Sequence, residues 1–294
     1  MRRFFKRHTK VSFAWLSPKR HVCTGDGGIT SERVIECWCP PCCGTLISAT
    51  TVAPPTLFQR AVALLAAIRA RPAMRNAPSA ERNREPIAQV LARHAPFALP
   101  PERMASCLEI ASGTGQHVAF FASRFGHVTF QPTEFSGGSA GPEAPAYGSL
   151  SPVFDSILAH SGGMANVLPP CELDAAAAEW TVEDADVRWD AVYACNVCHI
   201  SPYSVSEGLF AGAGRVLAPD GALFIYGPFM VDGQHTAPSN EAFDQRLRAQ
   251  NPTWGVRDTA TLAELAKSHG LIMEAREEMP ANNFVLVFRK AAPS

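Results

Sequence analysis

The run Cys107-Leu108-Glu109-Ile110-Ala111-Ser112-Gly113-Thr114-Gly115-Gln116-His117 places one acid and a set of small residues where an apolar strand must end and a helix begin. Glycine and serine there let a backbone pass close to a ligand. A strand–turn–helix unit also aims backbone N–H groups and the positive end of a helix at whatever lies above it. Two ligands fit poorly. A dinucleotide fingerprint needs a third glycine, which would fall on Val118, and a phosphate loop needs Lys where Gln116 and His117 stand. A second acid, Glu134, follows a second strand 19 residues after Gly115. In doubly wound sheets an acid at that point accepts hydrogen bonds from ribose hydroxyls; the alternative is an exposed loop acid.

The pattern acid-x-small-x-Gly-x-Gly from Glu109 to Gly115 resembles motif I of the class I S-adenosylmethionine-dependent methyltransferases. Ala111 stands at the usual first glycine, a mild departure because alanine is the next smallest side chain. Ala80-Glu81-Arg82-Asn83, together with Trp254, Arg257, Asn282 and Asn283, extends the likeness over about residues 78 to 290. Across that span the chain resembles the methyltransferase-like family that includes human methyltransferase-like protein 26. The resemblance implies S-adenosyl-L-methionine as cofactor, held by Glu109, Ala111, Ser112, Gly113, Gly115, Glu134, Asp174 and Asn196. Asp174 would accept from the adenine amine; its other reading is a helix N-cap before residues 175–178. Asn196 and His199, at the end of the central strand, would face the transferred methyl and the acceptor. His199 is either a general base titrating near pH 6.5 or a partner for a loop carbonyl. Arg82 and Asn83 belong to a lid over the cofactor, or to an ordinary packing helix with a charged start. Tyr226, Phe229 and Met230 lie at the carboxyl edge of the sheet, where ligands bind in open α/β folds, and wall the acceptor or pack the core. No metal is implied.

The elements that must position these residues read in order. A helix carries Ile87, Val90 and Leu91 on one face and ends before Pro96. Strands follow at 104–110 and 127–131, flanking a helix over 116–125 with apolar residues at helical spacing. A Gly/Ser/Pro-rich stretch, 136–151, reads as a flexible insertion. A helix over 152–160 precedes a third strand, 167–173, broken by Pro169-Pro170 and so suited to a sheet edge. The central strand is 189–195. A helix over 205–217 stops at the turn Ala218-Pro219-Asp220-Gly221, and a fifth strand spans 222–226. Helices at 240–248 and 259–269 lead to a closing hairpin, 271–279 with 284–288. The succession predicts an α/β fold: a seven-stranded, mostly parallel, doubly wound, Rossmann-like sheet with its last strand reversed, preceded by an irregular N-terminal extension.

Composition bounds the function. The chain has 294 residues and a net charge of −1, but residues 1–75 hold 12 Lys and Arg against 3 acids. A basic leader (1–75) before a mildly acidic domain (76–294) is the simplest division. The leader has the arginine-rich, acid-poor composition of a transit peptide, or is an extension outside the native start; a cytoplasmic or an organellar location follows accordingly. An acidic body disfavours nucleic acid as partner. No apolar run reaches membrane-spanning length. Nine cysteines, an odd number, argue for a reducing compartment. Cys37 to Cys43 crowds four thiols among prolines without the two separated pairs of a zinc site, and Cys195-x-x-Cys198-His199 matches haem attachment only by chance. Asn196 lacks the Pro-Pro-aromatic sequel of amino-methyltransferases. The expected enzyme therefore methylates a small molecule, in an oligomeric state the residues leave open. Its rival is a catalytically silent binding protein on the same fold.

Overall fold

The structure is a computed structural model and describes residues 74–135, 151–184 and 187–291. The expectations for the leader, the Cys37–Cys43 cluster and the insertion at 136–150 lie outside the described residues.

Seven strands form one sheet: β1 (Ala105–Ile110), β2 (Val128–Glu134), β3 (Cys171–Glu172), β4 (Trp189–Cys195), β5 (Leu217–Gly227), β9 (Leu271–Met279) and β10 (Asn283–Lys290). Their order is β3-β2-β1-β4-β5-β10-β9. All run parallel except β10, which is inserted antiparallel between β5 and β9. The doubly wound sheet with a reversed last strand is the predicted one. Three short strands, β6 (Phe229–Val231), β7 (Gln234–His235) and β8 (Arg257–Asp258), make a separate small sheet beyond the end of β5.

Side-chain alternation splits the sheet's apolar residues between two cores. Leu108, Val192, Leu223 and Leu286 face α4 (Tyr203–Val216) and α6 (Thr259–Ser268). Cys107, Tyr193, Phe224 and Val285 face α1 (Pro78–Leu91), α2 (Gln116–Arg124) and α3 (Ser151–Ser161). Both faces being covered, the inner strands β4, β5 and β10 carry long apolar runs. Phe121, Phe130, Phe224 and Phe288 are fully buried, each burial worth roughly 1.5–3 kcal/mol. Helix α1 has Pro in its first turn and buries Ile87, Val90 and Leu91, as their spacing predicts. The remaining helix, α5 (Pro238–Gln250), packs beside β7.

Three local expectations change. The third strand shrinks to two residues plus an isolated bridge, Phe130 to Val167, because Pro169-Pro170 interrupts its ladder. Strand β2 runs on through Pro132 to Glu134, its outer neighbour pairing only with Thr133 and Glu134. The turn at 218–221 does not precede β5 but bulges within it. Trp189 pairs with Leu217 and Ala191 with Ala222, and Asp220 takes a φ of 61° to accommodate the extra residues. Among the described residues no helix is long and apolar enough to cross a membrane.

Candidate functional site

The carboxyl ends of β1, β2, β4 and β5 bring the candidates to one edge. Between β1 and α2 the backbone is left-handed three times: φ is 55° at Ala111, 57° at Gly113 and 86° at Gly115. The turn is lashed to the end of β2. Ser112 N donates to Thr133 O at 2.8 Å, Thr133 Oγ1 donates to Glu109 O at 2.8 Å, and Gly113 N donates to Glu134 Oε2 at 2.8 Å. The other oxygen of Glu134 accepts from Phe135 N at 3.0 Å. Burial raises the Glu134 carboxyl, against the lowering pull of those two N–H groups and of Arg75.

The two glycines do different work. A Cβ on Gly113 would meet nothing within 4 Å, whereas one on Gly115 would lie 2.6 Å from Ile157 Cα. Gly113 fronts open space, and the missing side chain at Gly115 lets α3 pack on the turn. Ala111 is not the mild departure its size suggests. The left-handed conformation costs a residue with a Cβ about 1 kcal/mol. Ala111→Gly is therefore expected to raise stability by about that amount, offset in part by glycine's greater freedom in the unfolded chain, and a urea melt reads it.

Glu109 is 3% exposed, and among the described residues its Oε2 has no hydrogen-bond partner. Burial pushes its carboxyl up to about 8, opposed by a hydrogen bond from Ser112 and reinforced by the charge of Glu134. Tyr193, its register partner on β4, is 1% exposed, with an equally unsatisfied hydroxyl. Buried polar atoms left without partners are rare and call for an explanation.

Residues 75–83 cross above the turn. Arg75 N donates to Ser156 Oγ at 2.9 Å, which donates to Thr114 O at 2.8 Å. Ala77 N donates to Gln116 Oε1 at 2.6 Å. Asn83 Oδ1 lies 2.8 Å from His117 Nε2. Residues 75–83, with Arg82 and Asn83, thus lie against the motif. Burial raises the Tyr226 phenol, against the lowering pull of the Asn83 amide and the Arg82 charge. Gln116 and His117 were legible as the helix start but not as partners of residues 77–83. Burial, then the nearby Arg84 charge, holds His117 down at about 4, and its ring stacks on Phe121 at 5.5 Å.

On the β4 side, Asn196 has φ 58° and its N–H donates to Tyr226 O at 2.9 Å. His199 is buried, its Nδ1 3.2 Å and Asn196 Oδ1 3.8 Å from where a Cβ on Gly227 would sit. Burial and the Arg257 charge hold His199 at about 4, not near 6.5, so the imidazole is neutral but a weak base. Arg257 grips the loop through Cys198 O at 3.0 Å and Ser201 O at 2.7 Å. It does not pair with Asp258, which caps α6 through Ala260 N at 2.8 Å and holds Gly233 N at 2.7 Å. Asp174 accepts from Ala176 N at 2.9 Å and heads a turn, where a helix was expected. Phe229 belongs to the core. Cys195 is half-buried and Cys198 buried, and loss of solvation drives the Cys195 thiol up to about 12. Asn282 ties its turn to α5, its O accepting from Asn240 Nδ2 at 2.8 Å, and Asn283 Nδ2 donates within the turn to Pro280 O at 3.2 Å. Among the described residues no group of His, Cys, Asp and Glu is arranged to hold a metal.

A family model described as "Protein of unknown function (DUF938)" matches residues 74–290. The chain belongs to this family. Its fold is shared with solved methyltransferases. An O-methyltransferase family protein from Burkholderia thailandensis superposes with a TM-score of 0.55 at 18% identity, covering 73% of this chain and 58% of that one. The mitomycin 7-O-methyltransferase MmcR gives 0.53 at 16%, covering 71% and 54%. Human N-acetylserotonin methyltransferase, solved in complex with SAM, gives 0.51 at 12%, covering 71% and 55%. The chain thus spans a little over half the length of these proteins, and at such identities the likeness is one of fold.

Proposed function

We propose that this DUF938 protein is an S-adenosyl-L-methionine-dependent methyltransferase acting on a small molecule. The observation that carries the reading is the open cradle at Gly113, whose N–H is held by the Glu134 carboxylate. That carboxylate has already been drawn to the turn and keeps lone pairs for two ribose hydroxyls. The residues fit the cofactor: Ala111, Ser112 and Gly113 would pass beneath it, Glu134 would take the sugar, and the unsatisfied Oε2 of Glu109 is a polar group awaiting a partner. Asp174 and Asn196 complete the proposed contacts. Gly115 contributes by seating α3. When bound, the cofactor supplies an electrophilic methyl on a sulfonium.

What the chain adds is alignment. In-line displacement depends chiefly on holding acceptor and methyl at short range. His199, held at about 4, is too weak a base to strip a hydroxyl of ordinary pKa. With Asn196 it orients the acceptor, which must arrive nucleophilic or lose its proton to water. Human N-acetylserotonin methyltransferase and the mitomycin enzyme bear names that specify small acceptors, and a small acceptor is part of the proposal here. Ala80-Glu81-Arg82-Asn83 and the Asn282-Asn283 turn support placing the chain with the methyltransferase-like group that includes human methyltransferase-like protein 26.

Glu134→Ala tests the reading. Each charged hydrogen bond to a hydroxyl is worth about 1.5–3 kcal/mol, so calorimetry should show S-adenosylmethionine affinity falling about tenfold or more. An unchanged dissociation constant removes Glu134 from the site.

A further inference from the structure

The turn that seats the proposed cofactor is held in a costly shape. Ala111 at φ 55° and Gly113 at φ 57° put left-handed backbone on both sides of Ser112. Conformations of that kind persist where their surroundings over-determine them. The ladder between β1 and β2 stops short of the turn: its last pair is Glu109 with Pro132, and proline has no N–H to give.

Thr133 takes over where the ladder ends. It is fully buried. Its hydroxyl donates to Glu109 O at 2.8 Å. Its N–H donates to Ser112 Oγ at 3.2 Å, and its carbonyl accepts from Ser112 N at 2.8 Å. Every polar group of the residue is thus spent on the turn, on the near side of Ala111 through Glu109 and on the far side through Ser112. The next residue along each chain belongs to the cradle: Gly113 follows Ser112, and Glu134 follows Thr133. Peptide links are stiff, so fastening Ser112 to Thr133 sets where Gly113 N and Glu134 Oε2 stand, 2.8 Å apart. The two backbone bonds to Ser112 are open to any residue. The bond to Glu109 O needs the hydroxyl, and without it Ala111 is anchored on one side alone.

We propose that Thr133 is a positioning residue for cofactor binding, its hydroxyl holding the left-handed turn so that Gly113 and Glu134 form one cradle; the assignment rests on the methyltransferase reading for its ligand. Buried as it is, Thr133 does not touch the cofactor. It acts through Glu109 O and Ser112.

Thr133→Val keeps the shape and removes the hydroxyl, whereas Thr133→Ser keeps the hydroxyl and removes the methyl. By calorimetry Thr133→Val should bind S-adenosylhomocysteine about fivefold or more weakly than the native protein, the worth of one hydrogen bond, and Thr133→Ser within about twofold of it. A merely structural role gives another pattern. Affinity unmoved in Thr133→Val, or lost equally in both variants, overturns the proposal. Thr133→Ala set against Thr133→Ser repeats the comparison with the hydroxyl as the one difference, and serves if valine prevents folding.

Amide hydrogen exchange reads the turn without a ligand. In Thr133→Val the Gly113 N–H should exchange about tenfold or more faster than in the native protein or Thr133→Ser, beyond any change shared by the amides of β4. A Gly113 rate that moves no more than theirs overturns the proposal. Should the native protein bind no S-adenosylhomocysteine, the methyltransferase reading falls separately, and the exchange of the Gly113 N–H still decides whether Thr133 holds the turn.

Discussion

Glu109→Gln should make the protein's stability level between pH 6.5 and 8, where the native protein loses about 2 kcal/mol. The native carboxyl titrates at about 8 because it is buried, whereas in the unfolded chain it titrates near 4.5. A carboxyl whose folded value lies above its unfolded one favours the fold in its protonated form. Its contribution is complete below 4.5 and drains away as pH rises toward 8, at about 1.4 kcal/mol per pH unit. His117 and His199 act in the opposite sense. Their folded values of about 4 lie below the usual 6.5, so their contributions are complete above 6.5 and are lost on acidification toward 4. For these three groups stability therefore peaks near pH 6.5, the histidines setting the acid flank and Glu109 the alkaline one. Glutamine keeps the shape of the protonated acid and cannot ionise, so only the alkaline flank should vanish. In a domain of this size 2 kcal/mol corresponds to a melting shift of about 4–8 °C. Melts at pH 6.5 and 8 measure it; a variant that declines in parallel with the native protein would mean that Glu109 is already ionised at neutral pH.

That carboxyl also shows how far the residues alone could be read. Apolar runs bounded by glycine and proline carried the sheet and its reversed last strand, because burial on both faces leaves a strong pattern; the strand order came only with the structure. Glu109 and Glu134 were found from their positions at strand ends. Their states were not legible: that Oε2 of Glu109 lacks a partner, or that Glu134 already holds Gly113 N, depends on packing from elements far apart in the chain. His199 shows the same limit. Its place after the central strand was readable, but burial beside Arg257 moves it from a candidate base to a weak one. His117 was overlooked because one histidine early in a helix is unremarkable until α1 brings Asn83 to it from 34 residues away. Ala111 was misjudged because size was weighed and φ could not be. The two motif glycines looked equivalent in the sequence, and only their neighbours separate them.

Their separation predicts a crossed outcome. Gly113→Val should raise the S-adenosylmethionine dissociation constant a hundredfold or more while the protein stays folded. The new Cβ meets no protein atom within 4 Å, so the fold bears only the strain of a branched residue at φ 57°, about 1–3 kcal/mol. The branch instead fills the space through which the adenosyl group must approach the backbone, and a ligand excluded from its cradle loses its contacts with the turn and with Glu134 together. Gly115→Ala should do the reverse. Its Cβ would lie 2.6 Å from Ile157 Cα, a backbone atom of α3 that can yield only if the helix moves, so stability falls by several kcal/mol, and affinity, measured where the variant is still folded, changes much less. Urea melts and calorimetry on the two variants give four values. If Gly113→Val binds S-adenosylmethionine like the native protein, the space above Gly113 is not where the cofactor lies, and the methyltransferase reading loses the observation on which it stands.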